Sequence, residues 1–123
     1  HGWDADEIPD PQDPATFERS KLNWDEIDDG DHGRLRRTYQ QLIALRHNEP
    51  DMADACLDHL RVEYDEAQRW IVMYRGSLSI ACNLNSDAVV VPATGEVVLA
   101  WREPVVGVTT TQLQAHSFVI LRP

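Results

Sequence analysis

From Leu60 onward the chain is built of short runs in which side chains alternate in pairs, separated by turn residues. Leu60, Val62 and Tyr64 alternate with Arg61, Glu63 and Asp65, and Trp70, Val72 and Tyr74 alternate with Ile71, Met73 and Arg75. Gly76-Ser77 forms a two-residue link to Leu78, Ile80, Cys82 and Leu84, which predicts a tight hairpin. Val89–Val91 and Val97–Trp101 flank Thr94-Gly95 and predict a second hairpin, while Thr109–Leu113 and Phe118–Leu121 close the chain. About seven strands at roughly 8–12-residue spacing, with no helix between them, predict an antiparallel β-sandwich with Greek-key connections.

The region before this body has a different period. Leu35, Tyr39, Leu42 and Ile43 fall at i, i+4, i+7 and i+8, one face of a helix running from His32 to about Asn48. At about 17 residues such a helix is about 25 Å long. Arg34, Arg37, Gln41 and Arg46 take its solvent side, and Asn48 followed by Pro50 ends it. One amphipathic helix is not a core, so its apolar face needs cover from the β body or from protein outside this chain. Earlier still, Pro9, Pro11 and Pro14 predict a stiff extended loop. Asp13-Pro14 then reads as an N-cap and first helical residue, opening a short helix to about Leu22.

Charge follows the same division. Over the 123 residues the formal net charge is −10. Residues 1–31 carry 11 acidic and two basic side chains, whereas residues 67–123 carry three and four. All 11 valines lie between Val62 and Val119, where a stiff β-branched side chain suits a pleated surface. An acidic chain lacks the basic face that nucleic acid or an anionic membrane requires, so neither is an expected partner. No run of about 18 apolar residues occurs, so no membrane span is expected, and the acidic N-terminal stretch is not a signal peptide. Cys56 and Cys82 make no disulfide framework, which favours a reducing, cytoplasmic setting.

The chemistry-bearing patterns are sparse. There is no phosphate-binding glycine loop, no H-E-x-x-H and no G-x-S-x-G. The acidic run Asp25–Asp31 invites a calcium loop, but the ligand positions 27 and 36 hold Ile27 and Arg36, so the match fails. It reads instead as a solvated lead into the positive end of the following helix. The five histidines, at 1, 32, 47, 59 and 116, lack metal-ligand spacing. Cys82 alternates inward with Ile80 and Leu84 as a small buried hydrophobe. No metal, no cofactor and no catalytic residue is expected, and no substrate-binding residue is nominated.

Two stretches carry a resemblance. Gly2-Trp3-Asp4 with Ile8-Pro9-Asp10-Pro11-Gln12-Asp13-Pro14-Ala15-Thr16-Phe17-Glu18-Arg19-Ser20-Lys21-Leu22-Asn23-Trp24 is the more specific one. Leu35-Arg36-Arg37-Thr38-Tyr39-Gln40-Gln41-Leu42-Ile43-Ala44-Leu45-Arg46-His47 is the second. Together they resemble the C-terminal end of the malto-oligosyltrehalose trehalohydrolases, in the α-amylase clan of glycoside hydrolases. The resemblance continues through Asp65-Glu66, Arg69-Trp70 and Ala81-Cys82-Asn83-Leu84.

It implies that residues 1–50 end a (β/α)8 barrel and that residues 51–123 form the clan's C-terminal antiparallel β domain. The helix face would then pack on a barrel this chain lacks. The family's catalytic carboxylates would lie upstream of His1, leaving this chain inactive alone. The intact family releases trehalose by retaining hydrolysis of the α-1,4 bond next to the trehalose unit, without a cofactor, so the implied substrate is a malto-oligosyltrehalose or α-glucan held by the barrel. In the loop, Trp3 could stack on sugar with Asp10 or Gln12 hydrogen-bonding it. The preferred reading is that Trp3, Phe17 and Trp24 anchor the loop to the barrel wall. The alternative from a different class is a stand-alone glycan-binding β-sandwich using Trp70 and Trp101, although both fall on apolar alternating faces that suit core packing.

Overall fold

A computed structural model of the chain describes residues 9–123. Trp3 therefore lies outside the described residues. The chain divides into two compact units, one ending at Arg37 and the other running Thr38–Pro123.

In the first unit, helix α1 spans Pro14–Ser20. It begins where predicted: Asp13 is extended (φ −71°, ψ 123°), its carboxylate accepts from the Ala15 N–H at 2.9 Å, and Pro14 follows. It ends earlier than predicted, at Ser20, because Lys21 is already extended. A single 3₁₀ turn at Trp24–Glu26 is capped by the Asn23 side chain. Helix α2 then starts at Gly30 and runs to Asn48. Its first turn is crowded: a Cβ on Gly33 would lie 2.4 Å from the Asp28 carbonyl oxygen, so only glycine fits there. The acidic run is solvated as expected, every residue of it being exposed, and on that surface Asp28 pairs with Arg36 and Glu26 meets His32 at 3.3 Å.

The second unit contains the end of α2, a one-turn helix α3 (Pro50–Ala53), and eight strands. These are β1 (Leu60–Asp65), β2 (Trp70–Arg75), β3 (Leu78–Asn83), β4 (Val89–Val91), β5 (Glu96–Ala100), β6 (Val105–Val106), β7 (Thr111–Leu113) and β8 (Ser117–Arg122). The two-residue β6 is the strand that periodicity missed, being too short to show a pattern. The strands form two antiparallel sheets, β1-β2-β3-β8-β5 and β4-β7-β6. Connections cross between the sheets after β3, β4, β5 and β7, and β8 returns between β3 and β5. The architecture is the antiparallel sandwich expected.

The Gly76-Ser77 hairpin forms as predicted, pairing β2 with β3 from Arg75 opposite Leu78. The second hairpin does not. Although Val89–Val91 and residues 96–100 flank Thr94-Gly95, β4 pairs with β7 and β5 with β8, in different sheets. Gly95 serves a close approach instead: at φ 146° its α-carbon faces the Arg122 carbonyl, and a Cβ would sit 2.3 Å from that oxygen.

The core lies between the sheets and joins Val72, Ala81, Val119 and Leu121 to Val89, Val91, Ala93 and Leu113. Trp70, Tyr74 and Ala100 pack against it. On β3 the phase is the reverse of that expected. Ser79, Ala81 and Asn83 are 0–1% exposed and face the core, whereas Ile80 and Cys82 are half-buried on the outer face and Leu84 is 63% exposed. Asn83 takes its inner position because the fold supplies it with partners, whereas the Ser79 hydroxyl, buried on the same side, has none among the described residues. The Asn83 Nδ2 donates to the carbonyls of Asp87 (2.8 Å), Gln114 (2.8 Å) and Leu113 (3.4 Å), and its Oδ1 accepts from the Asn85 N–H at 2.8 Å.

Candidate functional site

The reversed phase leaves the five-stranded sheet apolar on its outer side as well. Strand pairing aligns Tyr64, Ile71, Cys82 and Phe118 in one row across β1, β2, β3 and β8. The next row is Val62, Met73, Ile80, Ile120 and Leu99. An antiparallel sheet with a single buried face carries polar residues on the other, so this second apolar face is a surface made to be covered. Cover within the chain reaches one end of it. Leu78 and Ile120 are each 1% exposed. Gln41, Ala44, Leu45, Asn48 and Glu49 of the helix share a shallow cavity with Val98 and Leu99 of β5, and Glu49 pairs with Arg122.

The opposite end, where β1 turns into β2, stays open. There Tyr64, Ile71 and Leu84 line a depression of about 360 Å³ together with Asp65, Glu66, Arg69 and Trp70. The turn is built locally: the Asp65 carboxylate accepts from the Gln68 N–H at 2.9 Å and from its side-chain amide at 3.3 Å. Arg69 then takes φ 55°, a left-handed conformation unusual for a residue with a Cβ. Its carbonyl still accepts from the Leu84 N–H at 2.9 Å, tying the turn to the end of β3. Among the described residues, the side chains of Glu66 and Arg69 have no hydrogen-bond or ionic partner. A second, adjoining depression is lined by Cys82, Asn83, Leu84, His116, Ser117 and Phe118, and there His116 is also a left-handed non-glycine residue (φ 48°).

The sequence pattern missed this depression because its residues come from a turn, from outer positions of β1 and β2, and from Leu84 just past the end of β3. The signals available were the repeated apolar pairs in Trp70–Tyr74 and Phe118–Leu121, which mark strands buried on both faces. Trp70 and Trp101 are both half-buried, and Trp70 packs on the core rather than offering an open ring. Of the loop residues, Phe17 and Trp24 are 64% and 69% exposed. The Asp10 carboxylate accepts from the Gln12 N–H at 2.9 Å, a local turn contact.

The helix carries a second open surface. Tyr39 and Ile43 are 60% and 55% exposed, Leu35 is 48% exposed, and Leu42 is half-buried. Three of the four residues of the predicted face thus lie open.

Electrostatics mark structural links rather than a reaction centre. Asp51 accepts from the Ser77 N–H (2.6 Å) and hydroxyl (2.7 Å), and these bonds hold its carboxyl below the usual range. The Cys56 N–H and His59 Nδ1, both at Asp54, do the same for that carboxyl. Burial pushes the Cys82 thiol up. Among the described residues, no three histidine, cysteine or carboxylate side chains converge in a way that could hold a metal ion. No helix among them is long and apolar enough to cross a membrane.

Comparison with known proteins covers the whole of this architecture. Residues 56–120 match a family model described as Domain of unknown function (DUF3459). The chain is 62% identical over 122 residues to the malto-oligosyltrehalose trehalohydrolase of Mycobacterium tuberculosis (strain H37Rv), a match covering 99% of this chain and 21% of that protein. It is 36% identical over 113 residues to the malto-oligosyltrehalose trehalohydrolase of Rhizobium sp. (strain M-11), covering 92% and 19%. Among solved structures, a Salmonella typhimurium protein assigned as an alpha amylase superposes with a TM-score of 0.69 and 26% identity, over 93% of this chain and 20% of that one. The chain spans about one fifth of the length of the curated relatives it matches. With more than half of its residues inside the family model, the chain belongs to the DUF3459 family, and along nearly its whole length it is similar to part of the malto-oligosyltrehalose trehalohydrolases.

Proposed function

We propose that this chain is the C-terminal segment of a glycoside hydrolase that releases trehalose from malto-oligosyltrehalose by retaining hydrolysis of the adjacent α-1,4 bond. The observation that carries this reading is 62% identity sustained over 99% of the chain with a relative of that name. The segment itself is structural. Residues 1–50 complete the barrel domain, residues 51–123 form the β domain, and the working compartment is the cytoplasm. The exposed Leu35, Tyr39 and Ile43 are the helix's side of the barrel contact, and the carbohydrate substrate is held by barrel loops outside this chain. Active sites of such barrels are built at the C-terminal ends of the strands.

Expression of the full-length protein that carries this sequence provides the test. It is expected to free trehalose from maltotriosyltrehalose, while the 123-residue chain frees none. A full-length protein without that activity overturns the family activity, and an active 123-residue chain overturns the structural role.

A further inference from the structure

We draw no further inference here: the strongest candidate, the apolar outer face of the five-stranded sheet with the depression at its β1–β2 end, carries nothing because nothing in the structure shows what covers it.

Discussion

Asn83 shows how one polar side chain can set the phase of a strand. It is 1% exposed, and its amide reaches carbonyls in both the β3–β4 and β7–β8 connections. Asn83→Ala takes away the donor to the Asp87 carbonyl and one of two donors to the Gln114 carbonyl, which keeps the Ser117 hydroxyl, and it also leaves the Asn85 N–H without its acceptor; each lost bond costs about 0.5–1.5 kcal/mol. A loss of about 2–4 kcal/mol is expected in urea unfolding, and a loss under about 1 kcal/mol would show that water replaces the amide. The neighbouring Cys82 points the other way, half-buried in the outer row, and its raised pKa leaves little thiolate at neutral pH. Its alkylation is expected to lag well behind that of a small-molecule thiol at pH 8. Asn83→Ala should accelerate it by loosening the end of β3, a difference that mass spectrometry of the labelled protein reads directly.

Among the elements, the β2–β3 hairpin and α3 are joined through Asp51. Its carboxylate lies over Gly76 (φ 55°), so close that a Cβ there would sit 2.1 Å from its carboxyl carbon, and it receives both Ser77 donors. A carboxyl whose folded pKa is depressed adds stability that is complete above its unfolded pKa, about 3.9. That stability is lost as pH falls through the lower, folded value. Asp51→Asn should therefore lower stability at pH 6 and converge with the unmodified chain once the pH has fallen through the depressed, folded pKa. A gap that stays constant with pH would assign the effect to packing instead of charge. The hairpin was legible because its turn signal is local, a Gly-Ser pair between two apolar runs. Thr94-Gly95 carried an equally local signal and misled, because its glycine is needed for the approach to Arg122, 27 residues away in sequence.

For the molecule as a whole, the surplus of apolar surface is the dominant feature. The outer rows of the five-stranded sheet and the Tyr39–Ile43 face of α2 both exceed what a solvated domain requires. Ile43 is 55% exposed, so Ile43→Glu should change the stability of the 123-residue chain by less than about 0.5 kcal/mol and reduce its self-association in sedimentation. In the full-length protein the same substitution should cost more than about 2 kcal/mol if that face meets a barrel, because a carboxylate would be buried without a partner. Equal, small effects in both forms would remove the helix from the proposed contact.

Local chemistry, read along the chain, determined the elements that depend on near neighbours. These include the Asp13 cap of α1, the periodic face and Asn48 end of α2, the Gly76-Ser77 hairpin and the all-β character of the body. Each follows from torsional preference or from a spacing of a few residues. Tertiary structure decided what depends on distant partners. It placed Asn83 inward, sent β4 and β5 to different sheets, and brought Tyr64, Arg69 and Leu84 around one depression. An alternating strand can present either face with equal backbone cost. The choice falls to hydrogen bonds and close contacts made across the fold, and for Asn83 those partners lie up to 31 residues away.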